Sequence, residues 1–204
     1  MLQNFESLVL IWLGIGFITF ITLLKIPAPY GKFSKTNWGP MIPSKLGWIV
    51  MEIISPLALL YFFLNGNIEK TPTNITFISL WTLHYFNRSV IYPLRQNNPA
   101  QMPLIIAVLA FLFNVMNGYI NGTYFGSIQE YSAEYMSNWN FIVGVCLFIF
   151  GAYINIKSDN ILLSLRSKSG EYKIPEGFMF KYVSFPNYLG CLLYTSPSPR
   201  DQVV

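Results

Sequence analysis

The sequence predicts an all-α integral membrane protein, a multi-span helical bundle. Three observations carry that prediction. Of 204 residues, 53% are hydrophobic and only 11% are charged, where a soluble globular domain carries roughly 25% charged residues. The apolar residues gather in five long blocks, 7–24, 46–64, 75–94, 102–120 and 140–156, each close to the ~20 residues that a spanning helix needs. Lysine and arginine alternate between successive loops, as they do in chains that cross a bilayer repeatedly.

The first block, "SLVLIWLGIGFITFITLL", lacks a basic n-region and a small-x-small cleavage site. Its apolar run is also too long for a signal peptide, so it is read as a retained span. The loop after it holds Lys25, Lys32, Lys35 and Lys45. The second block, "LGWIVMEIISPLALLYFFL", carries one charge, Glu52, and the loop that follows holds only Lys70. The third contains "LHYFNRSVIYPL", with the chain's one histidine, His84, beside Tyr85, Asn87 and Arg88. Arg95 follows it. The fourth and fifth blocks lead to Lys157, Arg166, Lys168, Lys173 and Lys181. This alternation puts the N-terminus outside or in the lumen and the basic loops in the cytosol. The net charge of +4 therefore reflects topology, and no basic run is dense enough to suggest nucleic acid as a partner.

Several site classes are excluded. Cys146 and Cys191 make neither a disulfide framework nor a metal spacing, and a single histidine argues against a His-based metal site. No glycine-rich phosphate loop occurs. The sequons at Asn74, Asn87 and Asn121 are short motifs that arise by chance, and Asn87 falls inside a span.

The polar residues at membrane depth are the informative ones. An ionisable group there costs about 2.5–3.5 kcal/mol on insertion scales and usually marks function. Tyr85, Arg88 and Tyr92 recur at i, i+3 and i+7, one stripe of a helix. Glu52 is the natural partner of that stripe. A carboxyl group in this setting can be neutral, and a neutral acid beside a tyrosine hydroxyl makes two hydrogen-bond donors. Such a pair can hold a carbonyl oxygen as negative charge develops on it. An ion pair joining two helices is the plainer alternative.

A second polar stripe lies in "INIKSDNILLSLR", where Asn155, Asp159, Leu162 and Arg166 fall at i, i+4, i+7 and i+11. Asn and Asp can hold hydroxyls or an amide, and Arg can fork onto phosphate. A solvated helix end, with Arg166 offsetting the dipole, is the competing reading. "EYKIPEGFMFKYVSFPN" then reads as a loop at the membrane face, its aromatics at headgroup level.

Taken together, "PYGKF", "GWIVMEIISPLALL", "LHYFNRSVIYPL", "MPLIIAVLAFLFNVMNGYING", "GAYINIKSDNILLSLR" and "YKIPEGFMFKYVSFPNYLG" resemble the steroid 5α-reductase family (3-oxo-5α-steroid 4-dehydrogenases). The match covers most of residues 30–190, and Asn155-x-x-Ser158-Asp159 resembles the family's signature. The resemblance implies a bundle of seven membrane helices, of which five to six are present here. It also implies NADPH as cofactor, a hydrophobic steroid-like enone as substrate, and an endoplasmic reticulum membrane in a eukaryote or an inner membrane in a bacterium. By resemblance, Glu52 and Tyr85 hold the 3-keto oxygen, while Arg88, Asn155, Asp159, Arg166, Tyr172 and Asn187 contact the dinucleotide. His84 is read as a packing residue rather than a proton donor.

The chain departs from the family in three places. Met51 stands where the family often has glutamine. "RQNNPAQMP" is less basic than the corresponding family loop. After "NYLG" the sequence turns into "CLLYTSPSPRDQVV", which reads as a non-native tail, so the expected bundle is 1–190 and incomplete. A related enoyl or polyprenyl reductase stays open as an alternative, as does a non-enzymatic transporter or helper, although no symmetric halves with broken helices are visible.

Overall fold

Prolines mark where the helices of this chain begin, bend and break. In the computed structural model, which describes residues 2–26, 29, 36–96, 101–166 and 174–195, α1 spans Leu2–Lys25. A short strand β1, Met41–Pro43, ends at the proline that precedes α2, Ser44–Leu64. Pro72 opens α3, Pro72–Phe86, where its missing N–H costs nothing. Thr71 caps that helix, its hydroxyl accepting the Asn74 N–H at 3.2 Å. A π-helical turn, Asn87–Ile91, then leads into the three residues of α4, Tyr92–Leu94. Pro93 cannot donate back to the preceding turn, which is where the ladder widens.

Strand β2, Gln101–Pro103, again ends in the proline that precedes a helix, α5, Leu104–Thr123, which a π-helical turn extends to Ile128. The chain closes with α6, Trp139–Arg166, and α7, Pro186–Thr195. Among the described residues, four helices are long and apolar enough to cross a membrane: Gln3–Lys25, Ser44–Leu64, Leu104–Ile128 and Trp139–Leu165. The chain is an integral membrane protein. The third sequence block, 75–94, is helical throughout but stands outside those four, because His84, Asn87 and Arg88 make its centre polar.

The chain divides into two compact units. The first comprises residues 1–70, 85–93 and 99–130. In it β1 pairs antiparallel with β2, Ile42 opposite Met102, which brings the starts of α2 and α5 together. From there a stripe of α5 runs along α2. A Cβ placed on Gly118 would stand 2.6 Å from the Ser55 carbonyl oxygen, and one on Gly122 2.6 Å from that of Leu59. Only glycine permits so close an approach of two helix backbones in a membrane. Asn114, one turn earlier on the same stripe, donates to the Met51 carbonyl at 2.7 Å. Met51, Met102 and Ala107 form the apolar core beside it.

The second unit comprises residues 71–84, 94–98 and 131–204. Here α7 lies against α6 through Gly151 and Gly190. A Cβ on Gly190 would meet the Gly151 oxygen and the Asn155 nitrogen, each at 2.6 Å. Thr73 and Asn74, both fully buried, tie α3 to the chain after Glu130. The Thr73 hydroxyl donates to the Ser132 carbonyl at 2.7 Å, and Asn74 Oδ1 accepts the Tyr131 N–H at 3.2 Å. Asn74 is thus a structural asparagine, whatever its sequon suggests.

Candidate active site

Glu52 sits on α2 one turn before Pro56. Because Pro56 has no N–H, the Glu52 carbonyl receives no i→i−4 bond, and the helix is weakened where its one acidic residue lies. Across from it, the π turn carries Arg88, whose Nε stands 2.9 Å from Glu52 Oε1. The guanidinium also lies over the Trp48 ring, 5.3 Å from its centroid, a cation–π contact. The structure therefore realises the ion pair that the sequence left as an alternative. It does so at the residues proposed for chemistry.

Tyr85 stands at the end of α3 just before the π turn, with 8% of its surface exposed. Its phenol accepts a hydrogen bond from Asn117 Nδ2 at 3.0 Å and donates to Asn114 Oδ1 at 3.5 Å. The Ser55 hydroxyl is adjacent, and Glu52 and Arg88 are near enough to act on the phenol electrostatically. Glu52, Tyr85 and Arg88 thus share one polar centre of the first unit, Glu52 being only 5% exposed. The stripe expected of Tyr85, Arg88 and Tyr92 does not survive intact. The π turn adds a residue between Asn87 and Ile91, which rotates Tyr92 by about 100° from its α-helical direction.

The second stripe belongs to the other unit. Asn155 and Asp159 on α6 are buried, and so is Ser158 between them. That burial removes the solvated-helix-end reading for these positions. Asn155 Nδ2 donates to the Asn187 carbonyl at 2.9 Å. The side-chain oxygens of Ser158 and Asn187 are buried with no hydrogen-bond partner, in a place where buried polar atoms almost always have one. Tyr172 and the side chain of Arg166 lie outside the described residues. His84 packs in this unit, its ring 4.5 Å from that of Tyr194 in a T-shaped contact, as a packing residue would.

Sequence reasoning missed Asn114, Asn117 and Asn121. Their signal was present: three carboxamides at i, i+3 and i+7 in the otherwise apolar run "FLFNVMNGYING". Polar groups at that depth are costly and tend to be functional.

Comparison with known proteins shows the family. Residues 100–194 match the family model described as 3-oxo-5-alpha-steroid 4-dehydrogenase. Steroid 5-alpha-reductase DET2 of Gossypium hirsutum is 39% identical over 180 residues, covering 84% of this chain and 69% of that protein. The same-named protein of Arabidopsis thaliana is 39% identical over 183 residues, with the same coverage. The 3-oxo-5-alpha-steroid 4-dehydrogenase 1 of Bos taurus is 32% identical over 193 residues, covering 91% of this chain and 74% of its own. The chain belongs to the steroid 5-alpha-reductase (3-oxo-5-alpha-steroid 4-dehydrogenase) family, enzymes that are oxidoreductases acting on CH–CH groups.

Proposed function

We propose that this protein reduces the C4–C5 double bond of a 3-oxo-Δ4 steroid, with NADPH as reductant. The observation that carries this reading is the buried polar centre of Tyr85 and Glu52 among apolar membrane helices. Reduction of the enone places negative charge on the 3-oxo oxygen as an enolate, before C4 takes up a proton. Tyr85 donates a hydrogen bond to that oxygen, and Glu52, in its acid form, donates a second. Donors fixed in advance and shielded from water stabilise such charge far better than solvent does. Donation by Glu52 requires that its pair with Arg88 open when the ketone arrives.

The residues of the second unit fit a nicotinamide dinucleotide. Asn155, Asp159 and Asn187 supply amide and carboxylate groups for hydroxyls and a carboxamide. The unpartnered side-chain oxygens of Ser158 and Asn187 are polar atoms that a bound ligand would satisfy. Arg166 and Tyr172 complete the set, Arg166 toward phosphate. When bound, NADPH supplies the hydride that reaches C5. The loop basicity supports a luminal N-terminus and cytosolic access for the cofactor, with an endoplasmic reticulum location if the source is eukaryotic. The test is to supply the full-length, membrane-embedded protein with NADPH and a panel of 3-oxo-Δ4 steroids, enoyl thioesters and polyprenyl enones. Turnover confined to the thioester or polyprenyl members would overturn the steroid assignment.

A further inference from the structure

The Tyr85 hydroxyl is a useful donor only if its proton points away from the neighbours that surround it. A chain of carboxamides on α5 decides that direction. Asn121 Nδ2 donates to the Asn117 carbonyl at 2.9 Å and to Asn117 Oδ1 at 3.1 Å. With its oxygen engaged from below, Asn117 must turn its Nδ2 toward Tyr85, where it donates at 3.0 Å. At the other end, Asn114 Nδ2 is committed to the Met51 carbonyl at 2.7 Å, so its Oδ1 is the atom that faces the phenol. Each amide orientation is thereby set by a bond its other end already makes. All five residues belong to the same compact unit.

We propose that Asn117, held by Asn121, is a positioning residue that fixes the Tyr85 hydroxyl as a hydrogen-bond donor toward the substrate ketone. The inference rests on the ketone-binding role given to Tyr85 above. A phenol oxygen that accepts a bond cannot direct its own proton back at the donor, so that proton goes to the far side. There Asn114 Oδ1 receives it at 3.5 Å, long beside the ~2.7–2.8 Å of a good O–H···O bond. A ketone oxygen at normal distance outcompetes so weak an acceptor. The bond from Asn117 also polarises the phenol, and linked hydrogen bonds strengthen one another.

The experiment is a double-mutant cycle in the full-length, membrane-embedded protein. Asn117→Leu removes the donor at similar size, and Asn121→Ala releases Asn117 to flip without touching Tyr85. Asn117→Leu is expected to lower kcat roughly 10–100-fold, the range seen for groups that orient a metal-binding side chain from behind, with KM within about twofold. Asn121→Ala is expected to move kcat the same way by less. In the Tyr85→Phe background both substitutions should change kcat by no more than about twofold, because the group they position is gone. Equal losses with and without the Tyr85 hydroxyl would mark a structural role and overturn the proposal, as would wild-type kcat in well-folded Asn117→Leu. Should the wild-type protein reduce no enone, the functional reading fails, and the positioning role is then decided by binding of a saturated 3-oxo steroid. Affinity about tenfold weaker in Asn117→Leu, only when Tyr85 is present, supports it, and unchanged affinity overturns it.

Discussion

Arg88 Nε and Glu52 Oε1 stand 2.9 Å apart, tying the π turn to α2 where α2 lacks a hydrogen bond at Pro56. The pair explains how two charges persist in an apolar bundle: each lowers the cost of the other. It also means that Glu52 accepts a hydrogen bond in this state, whereas the proposed chemistry asks it to donate one.

Glu52→Gln separates those roles. The amide oxygen can still accept from Arg88, but its NH₂ is a much weaker donor to a developing enolate than a carboxylic acid. The variant should fold and melt close to wild type, yet lose kcat by more than tenfold, with little rise in KM. A large drop in melting temperature together with normal turnover of the folded fraction would reduce Glu52 to a tether for Arg88.

The second unit yields a cofactor prediction that leaves its packing untouched. Asn155 bonds to the backbone of Asn187, so Asn187→Ala keeps that bond and removes the side-chain carboxamide, whose oxygen is unpartnered. NADPH affinity should fall by about 1 kcal/mol, the usual worth of one neutral hydrogen bond, at nearly constant melting temperature. Titration of NADPH fluorescence reads the affinity, and an unchanged dissociation constant would remove Asn187 from the cofactor site.

Gly118→Ala tests the close approach of α2 and α5. The new methyl would stand 2.6 Å from the Ser55 carbonyl oxygen and 2.7 Å from Ala58 Cβ, so the helices must separate. A loss of about 1–3 kcal/mol in stability is expected. Because Asn114 and Asn117 flank this glycine, activity should fall further than stability alone accounts for. Wild-type melting and turnover would show that the two helices have slack.

Much of this was legible in the sequence, for identifiable reasons. Long apolar blocks and alternating lysines reveal spans and loops, because lipid imposes length and charge rules that a single chain displays. Glu52, Tyr85 and Arg88 stood out as polar residues in apolar runs. Their pairing was legible only as one of two alternatives. Whether Glu52 meets Tyr85 or Arg88 depends on the π turn at Asn87–Ile91, and Pro93, which widens the turn, reads in sequence merely as a helix end. The three asparagines of α5 were overlooked because amides carry no charge and drew no attention beside Glu52 and Arg88. That Asn155 and Asp159 are buried depends on α7 closing over Gly151, a contact between residues nearly forty positions apart.

The proposed orientation rests on the basic loops and has its own test. Epitope tags inserted at residues 38 and 170 should be cut by protease added to the cytosolic face, and a tag near residue 130 should be protected. Protection of the tag at 170 would contradict both the orientation and the proposed access of the cofactor.

The account depends most on the Tyr85 hydroxyl, and kcat of Tyr85→Phe at saturating NADPH tests it most directly. The substitution keeps the ring that packs in the site and deletes one oxygen. Charge on the ketone oxygen is greatest in the transition state, so the loss should appear in kcat and not in KM. Deleting one such donor typically costs about 10²–10³ in rate, and a fall of that size in well-folded protein is the predicted result. A kcat within about twofold of wild type would contradict the assignment of Tyr85 and the mechanism built on it.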